Sequence, residues 1–307
     1  MSHFSLLGIA IRRCLFAAVY AAIALSISSV FPSPVAAQGT LKIGIVPYDA
    51  PSKLQEQYAP FAAYIAGKLR KQPQVFIAQD YVGVVQALQA DQIDVAYLNP
   101  LSYVLFEQRM RNTPEHLIPL AMPEVHGSLY YYGIIVTRTD TGIKTIQDLK
   151  GKKMAFAEPT STSGYLYPYQ YMLDHGVNPA TDLGEKVFAG TPAVIPALLN
   201  HNVDAGAVFE EGLTMFATPD QRKQLVVLAR VGPIANGMLV VRGNADPKEI
   251  AALRKAMVSI NTDPAAQASL KALSVTRWDP ADDSVFNPVR KAATVLHLHL
   301  EALGAKK

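Results

Sequence analysis

The apolar positions of the chain fall into short blocks separated by polar turns, and their spacing alternates between two periods. Leu41-Lys42-Ile43-Gly44-Ile45-Val46 is a compact apolar block that stops at Pro47, the pattern of a buried strand. From about Leu54 to Leu69 the residues Tyr58, Phe61, Ala62, Ile65 and Leu69 recur at helical spacing. Val75–Ala78 then reads as a second strand, Tyr81–Ala90 as a second helix and Ile93–Leu98 as a third strand. Strand and helix alternating in this way predict an α/β unit with a largely parallel sheet.

The alternation restarts further on. Tyr131–Thr137 reads as a strand, Thr145–Leu149 as a short helix and Lys153–Ala157 as a strand. A helix from about Gly164 to Asp174, strand Lys186–Phe188, helix Pro192–Leu199 and strand Asp204–Phe209 follow. Gly237–Val241 makes one more strand, and from Pro247 onward the pattern is mainly helical, with Ile250, Leu253, Met257 and Ile260 in period. No internal sequence repeat or low-complexity linker interrupts the chain. Two αβ series and a helical tail predict two lobes, with the tail returning to the first. The expected crossings lie near Gly133–Thr137 and Gly232–Met238, giving residues 38–134 and 238–307 to one lobe and 135–237 to the other. Ligands in such architectures sit where strand C-termini and helix N-termini face each other.

The first 37 residues have a different character. Arg12 and Arg13 precede an apolar run from Cys14 to Phe31, and Pro-Ser-Pro-Val-Ala-Ala follows. A basic start, an apolar middle and small residues at Val35 and Ala37 describe a secretory signal cut after Ala37. The alternative is a permanent membrane anchor, against which stand Ser26, Ser28 and Ser29 and the prolines that follow. The arginine pair also raises twin-arginine export, although its flanks fit poorly.

Removing that segment changes the arithmetic. The whole chain has 28 Lys+Arg, 25 Asp+Glu and one Cys in 307 residues. Both arginines and the cysteine leave with the signal, so 26 basic and 25 acidic residues remain, a formal +1 on 270 residues. A field this weak does not suit a nucleic-acid partner. The absence of thiols suits an oxidising compartment and excludes disulfide scaffolds and Cys-rich metal sites. The predicted location is the periplasm.

The stretch richest in chemistry is Ala155-Phe156-Ala157-Glu158-Pro159-Thr160-Ser161-Thr162-Ser163-Gly164-Tyr165-Leu166-Tyr167-Pro168. A buried strand stops at a proline, four hydroxyl residues and a glycine follow, and a helix begins. The first turn of a helix has unpaired N–H groups and a partial positive charge, which favour an anion. Hydroxyls add neutral donors, and Gly164 lets the backbone come close. Pro168 is tolerated only near the first turn and so helps fix the helix start. One N-cap requires one such hydroxyl, and four in a row exceed that requirement.

Pro159-Thr-Ser-Thr-Ser-Gly-Tyr-Leu-Tyr-Pro168 resembles the signature of the phosphate/phosphite/phosphonate-binding periplasmic proteins that serve ABC importers. Ile45-Val46-Pro47-Tyr48 is similar to that family's first strand and pocket tyrosine, and Asp94-Val-Ala-Tyr97-Leu-Asn-Pro-Leu-Ser-Tyr103 to its third strand and following turn. Asp148-Leu-Lys-Gly-Lys152 and Val203-Asp-Ala-Gly-Ala-Val208 match two further landmarks. The resemblance covers almost all of the mature chain. It implies an α/β type II periplasmic binding protein with two lobes, a mixed, mainly parallel sheet in each, two hinge crossovers and a ligand trapped by hinge closure.

The resemblance also implies site residues. Thr160, Ser161, Thr162 and Ser163 would hold an oxyanion through hydroxyl and backbone N–H groups. Tyr48 and Tyr97 would reach across from the first lobe, and Tyr131 and Thr191 are further candidates. Glu210 or Glu211 could receive a ligand amine or a protonated oxygen. Two positions depart from the family pattern. Relatives often carry His-Asp where this chain has Thr191-Pro192, and many place an acid after Pro-Asn where it reads Ile234-Ala235-Asn236-Gly237. The implied function is capture of a small oxyanion, phosphonate, phosphite, phosphate or related, by a monomer that passes it to an ABC importer permease. The alternative is a sensor of the same fold reporting to a membrane histidine kinase.

No catalytic residue, metal ligand set or cofactor is expected. His297 and His299 fall in the helical tail, where their spacing separates their faces. Tyr165, Tyr167, Tyr169 and Tyr171 do not share one helix face, and only Tyr165 is near the signature. Trp278 reads as packing.

Overall fold

The computed structural model describes residues 39–297. Residues 1–37, read above as a signal, with their arginines and Cys14, and the residues beyond His297, with His299, lie outside the described residues.

Along the chain the elements are β1 (Thr40–Ile45), α1 (Pro51–Lys68), β2 (Gln72–Ile77), α2 (Tyr81–Gln89), β3 (Val95–Leu98), α3 (Pro100–Met110), β4 (Leu117–Val125) and β5 (Tyr130–Arg138). Then come β6 (Lys153–Phe156), α4 (Tyr167–Asp174), β7 (Glu185–Phe188), α5 (Val194–Leu199), β8 (Ala205–Phe209), the short α6 (Gly212–Met215) and α7 (Pro219–Arg222), and β9 (Leu225–Ala235). β10 (Met238–Arg242), α8 (Pro247–Ser259), α9 (Gln267–Ala272), β11 (Val275–Pro280) and α10 (Asn287–Val295) complete the fold.

Two sheets result. One has the order β11-β4-β10-β3-β1-β2, the other β7-β6-β8-β5-β9. Both are mixed, but parallel pairing does not dominate as expected. β1 is parallel to β2 and β3, whereas β10 pairs antiparallel with both β3 and β4, and β11 antiparallel with β4. In the second sheet β6 is parallel to β7 and β8, and β5 is antiparallel to β8 and β9.

The chain passes from the first sheet to the second between Val125 and Tyr130, and returns between Ala235 and Met238. The second passage falls within the range expected from sequence. The first lies upstream of Gly133–Thr137, because all of β5 from Tyr130 onward pairs within the second sheet.

Three strands were hidden from the apolar pattern by proline. β4 carries Pro119 and Pro123, and β11 ends on Pro280 in what reads as a helical tail. β9 includes Pro233. Proline cannot donate to a ladder, so it argues against a central strand. β9 and β11 are edge strands, and β4 meets β10 across a register shift.

The two αβ series share a construction that the sequences do not repeat. Asp94 accepts from the Lys42 N–H at 2.7 Å, and Asp204 accepts from the Lys153 N–H at 2.9 Å. Each aspartate thus ties the start of a third strand to the start of the first. α1, α8 and α9 cover one face of the first sheet, and α2, α3 and α10 the other. Trp278 of β11 is buried and stacks on Phe61 of α1, with ring centroids 5.2 Å apart. Phe61→Ala should therefore cost about 3–5 kcal/mol, read as a lower urea midpoint with the slope preserved.

Candidate ligand-binding site

A cavity of about 480 Å3 lies where the C-terminal ends of β1, β3 and β8 meet the two passages between the sheets. Ser161, Thr162 and Ser163 line it from the second sheet's side, and Tyr48, Tyr58 and Tyr97 from the first. No Lys or Arg is among its lining residues. Charge attraction from a fixed cation therefore does not define the site.

The hydroxyl stretch is shaped by its own hydrogen bonds. Ser161 is extended, and its Oγ accepts from the Gly164 N–H at 3.1 Å. Residues Thr162–Leu166 then form a wide π-type turn that runs directly into α4, with Pro168 in its first turn. Helical winding thus starts two residues before Gly164. A Cβ on Gly164 would lie 2.4 Å from the Ala157 Cβ, so this glycine serves packing of the turn against the strand ends rather than approach to a ligand.

The four hydroxyl residues have different roles. Thr160 is 1% exposed and does not line the cavity; its carbonyl accepts from Asn99 Nδ2 at 2.8 Å. Thr162 Oγ1 accepts from the Leu101 N–H at 2.9 Å and from Asn99 Nδ2 at 3.2 Å, keeping its own proton to donate. These bonds join the start of α3 to the signature turn across the two sheets. Asn99 holds the N-cap position of α3, yet its side chain makes no capping bond. Its amide reaches across instead, and Oδ1 is left buried without a hydrogen-bond partner. Ser161 and Ser163 remain to present donors, and Ser163 sits beside the Tyr131 phenol.

Aromatic rings form the opposite wall. Tyr48 Oη donates to Gln57 at 3.2 Å and lies 3.4 Å from the Tyr58 hydroxyl. The Tyr97 oxygen accepts from the Gly237 N–H at 3.2 Å. That bond requires glycine: a Cβ at residue 237 would fall 2.8 Å from Tyr97 Cζ and 2.4 Å from the Leu98 carbonyl oxygen. An acid at that place has no room here. Burial pushes the Tyr48 pKa up to about 12 and raises those of Tyr58, Tyr81, Tyr97 and Tyr131 as well. All five phenols stay protonated and able to donate near neutral pH.

The match to known proteins follows this geometry. Residues 43–286 match the family model described as "ABC transporter, phosphonate, periplasmic substrate-binding protein". The chain belongs to this phosphonate substrate-binding family. It is 26% identical to the phosphonates-binding periplasmic protein of Escherichia coli, over 82% of this chain and 75% of that one. It is 28% identical to a phosphate-import protein of Mycolicibacterium smegmatis, over 58% of this chain and 59% of that one. A binding-protein component of an ABC phosphonate transporter from Pseudomonas aeruginosa has the same fold, with a TM-score of 0.76, 22% identity and coverage of 85% and 87%. The two-lobed type II architecture is thereby established.

Besides Thr160, two more of the expected site residues, Glu210 and Thr191, lie outside the cavity lining. Glu210 does not line the cavity; its carboxylate is paired with Arg230 through a bidentate contact at 2.8–3.0 Å. The neighbouring Glu211 lines the cavity instead. Thr191 is 2% exposed and lies behind the wall, its hydroxyl 3.0 Å from that of Tyr81, which does line the cavity. Tyr165 packs in the core against Phe156 and Phe188.

Sequence reading missed Tyr58, Tyr81, Asn99 and the cavity role of Trp278. Asn99 stood within a quoted landmark, at Leu98-Asn99-Pro100, where an N-cap residue before proline is a legible signal. The other three carry no local mark.

Two outcomes follow from this geometry. Asn99→Ala removes both amide bonds, each about 0.5–1.5 kcal/mol, and should open the ligand-free protein. Small-angle scattering should show a larger radius of gyration than wild type, and an unchanged radius would refute the bridging role. For the phenols the sign is set by the unfolded chain, whose tyrosines ionise near 10.0 while Tyr48 holds its proton to about 12. Stability should accordingly fall as pH rises above 10, with tyrosinate absorbance appearing together with unfolding.

Proposed function

We propose that this protein captures a phosphonate, phosphite or phosphate anion between its lobes in the periplasm and presents it to an ABC importer permease. The observation that carries the reading is the set of neutral donors around Ser161 and Ser163, in a cavity without lysine or arginine. Exposed N–H groups at a helix start, serine hydroxyls and protonated phenols can satisfy several oxyanion oxygens at once. A tetrahedral anion that touches the signature turn and Tyr48 or Tyr97 together favours the closed form, because only closure brings those groups within reach of one molecule. The protein acts as a monomer, binds and releases its ligand unchanged, and reaches the periplasm by cleavage after Ala37.

Calorimetry of the mature protein with methylphosphonate, phosphite, phosphate and sulfate tests this reading. Binding of at least one phosphorus oxyanion is expected. Ser161→Ala with Ser163→Ala should weaken it by about 1–3 kcal/mol, since hydrogen bonds to a charged ligand are lost. A folded double variant with wild-type affinity would overturn the site. Stimulation of ATP hydrolysis by the permease complex would distinguish delivery from sensing through a kinase.

A further inference from the structure

The cavity is larger than the oxyanion cradle needs, and its two ends differ in chemistry. The cradle lies at the β3 end, where Asn99 and Leu101 meet the signature turn. From there the lining continues past β10 and β4 to β11, three strand positions away in the sheet, about 14 Å at the usual strand spacing. At about 480 Å3 the space falls in the range that accommodates drug-sized molecules, about 300–1,000 Å3.

The far end carries several apolar side chains, interleaved along the chain with His126 and Ser274, which also line the cavity. Val125 of β4, Leu273 just before β11, and Val275 and Trp278 of β11 line it from one lobe, and Met215 lines the cavity from the other. Trp278 is held in place by Phe61 behind it and meets Tyr97 edge-on, with centroids 6.4 Å apart. Its indole nitrogen is closed off from solvent and offers no donor there. The tyrosine tips between the two ends are engaged within the protein, Tyr48 with Gln57 and Tyr58, and Tyr97 with Gly237. The titratable non-tyrosine side chains of the lining are His126 and Glu211, and Glu211 is solvent-exposed.

We propose that the ligand is an organophosphonate with an uncharged, apolar alkyl or aryl substituent, its phosphonate on Ser161–Ser163 and its substituent against Val125, Leu273, Val275, Trp278 and Met215. This rests on the oxyanion reading above and names the substrate class of the same site. An apolar group gives up no hydrogen bonds at that wall, and each methylene it buries adds favourable transfer free energy. A charged or strongly hydrated substituent laid against those five side chains would lose water without gaining a hydrogen bond from them.

The test is a calorimetric series on the mature wild-type protein with phosphate, methylphosphonate, propylphosphonate, phenylphosphonate and 2-aminoethylphosphonate. Propyl- and phenylphosphonate should bind on the order of tenfold more tightly than methylphosphonate, from two or more additional buried carbons. Aminoethylphosphonate, nearly the same shape as propylphosphonate, should bind more weakly than it. Met215→Gln and Val275→Thr should each lower the propyl-to-methyl affinity ratio severalfold. Tightest binding of methylphosphonate or phosphate would overturn the apolar substituent while leaving the oxyanion site standing. Preference for the aminoethyl ligand over the propyl would overturn it in favour of a cation met by Glu211. Failure of every member to bind would remove the oxyanion reading and this inference together.

Discussion

The hydroxyl of Thr162 accepts two hydrogen bonds from the other lobe, one from the Leu101 N–H and one from Asn99, and the geometry of the cavity depends on that junction. It sets the first turn of α3 against the signature turn, which places Tyr48 and Tyr97 opposite Ser161 and Ser163. The Tyr81–Thr191 bond adds a second tie across the lobes. Each of these bonds is modest in net worth, so the closed arrangement is held by little on its own. A ligand that bonds to both walls can then shift the opening equilibrium by its differential contacts alone.

The proposed anion recognition without a fixed cation rests on the same construction. Neutral donors on buried residues such as Ser161 and Ser163 interact with a charged ligand more strongly than they would in water. Burial raises the pKa of the cavity phenols and so keeps their protons available as donors. The formal +1 of residues 38–307 agrees with this: the net charge carries no trace of the site. The paired aspartates Asp94 and Asp204 show the same economy, each securing a strand start through backbone N–H groups rather than an ion pair.

Much of the architecture was legible in the residues. Periodicity located β1, β3, β6 and β8, and the hydroxyl run marked a stretch of which residues 161–163 line the cavity. Positions 161, 162 and 163, with Tyr48, Tyr97 and Tyr131, do come together around one cavity. β4, β9 and β11 escaped because their prolines contradict strand patterning, and edge positions or a register shift are what make those prolines tolerable. Thr160, Thr191 and Glu210 lie outside the cavity lining for a different reason. Which of two adjacent glutamates faces a ligand, and whether a threonine meets the cavity or a neighbouring tyrosine, depends on side chains from elements far away in sequence.

The sequence by itself determined the two αβ series, the return of the chain to the first, and a cluster of neutral donors at a helix start. These rest on local spacing, backbone N–H supply and residue chemistry, which neighbouring residues fix. Only the tertiary structure decided that Asn99 bridges the lobes instead of capping its helix. The same holds for Gly237, which must lack a side chain to let Tyr97 bond its N–H, and for Trp278, which closes the far end of the cavity. Each of these outcomes is a contact between residues more than sixty positions apart, and no local pattern encodes which distant surface a side chain will meet.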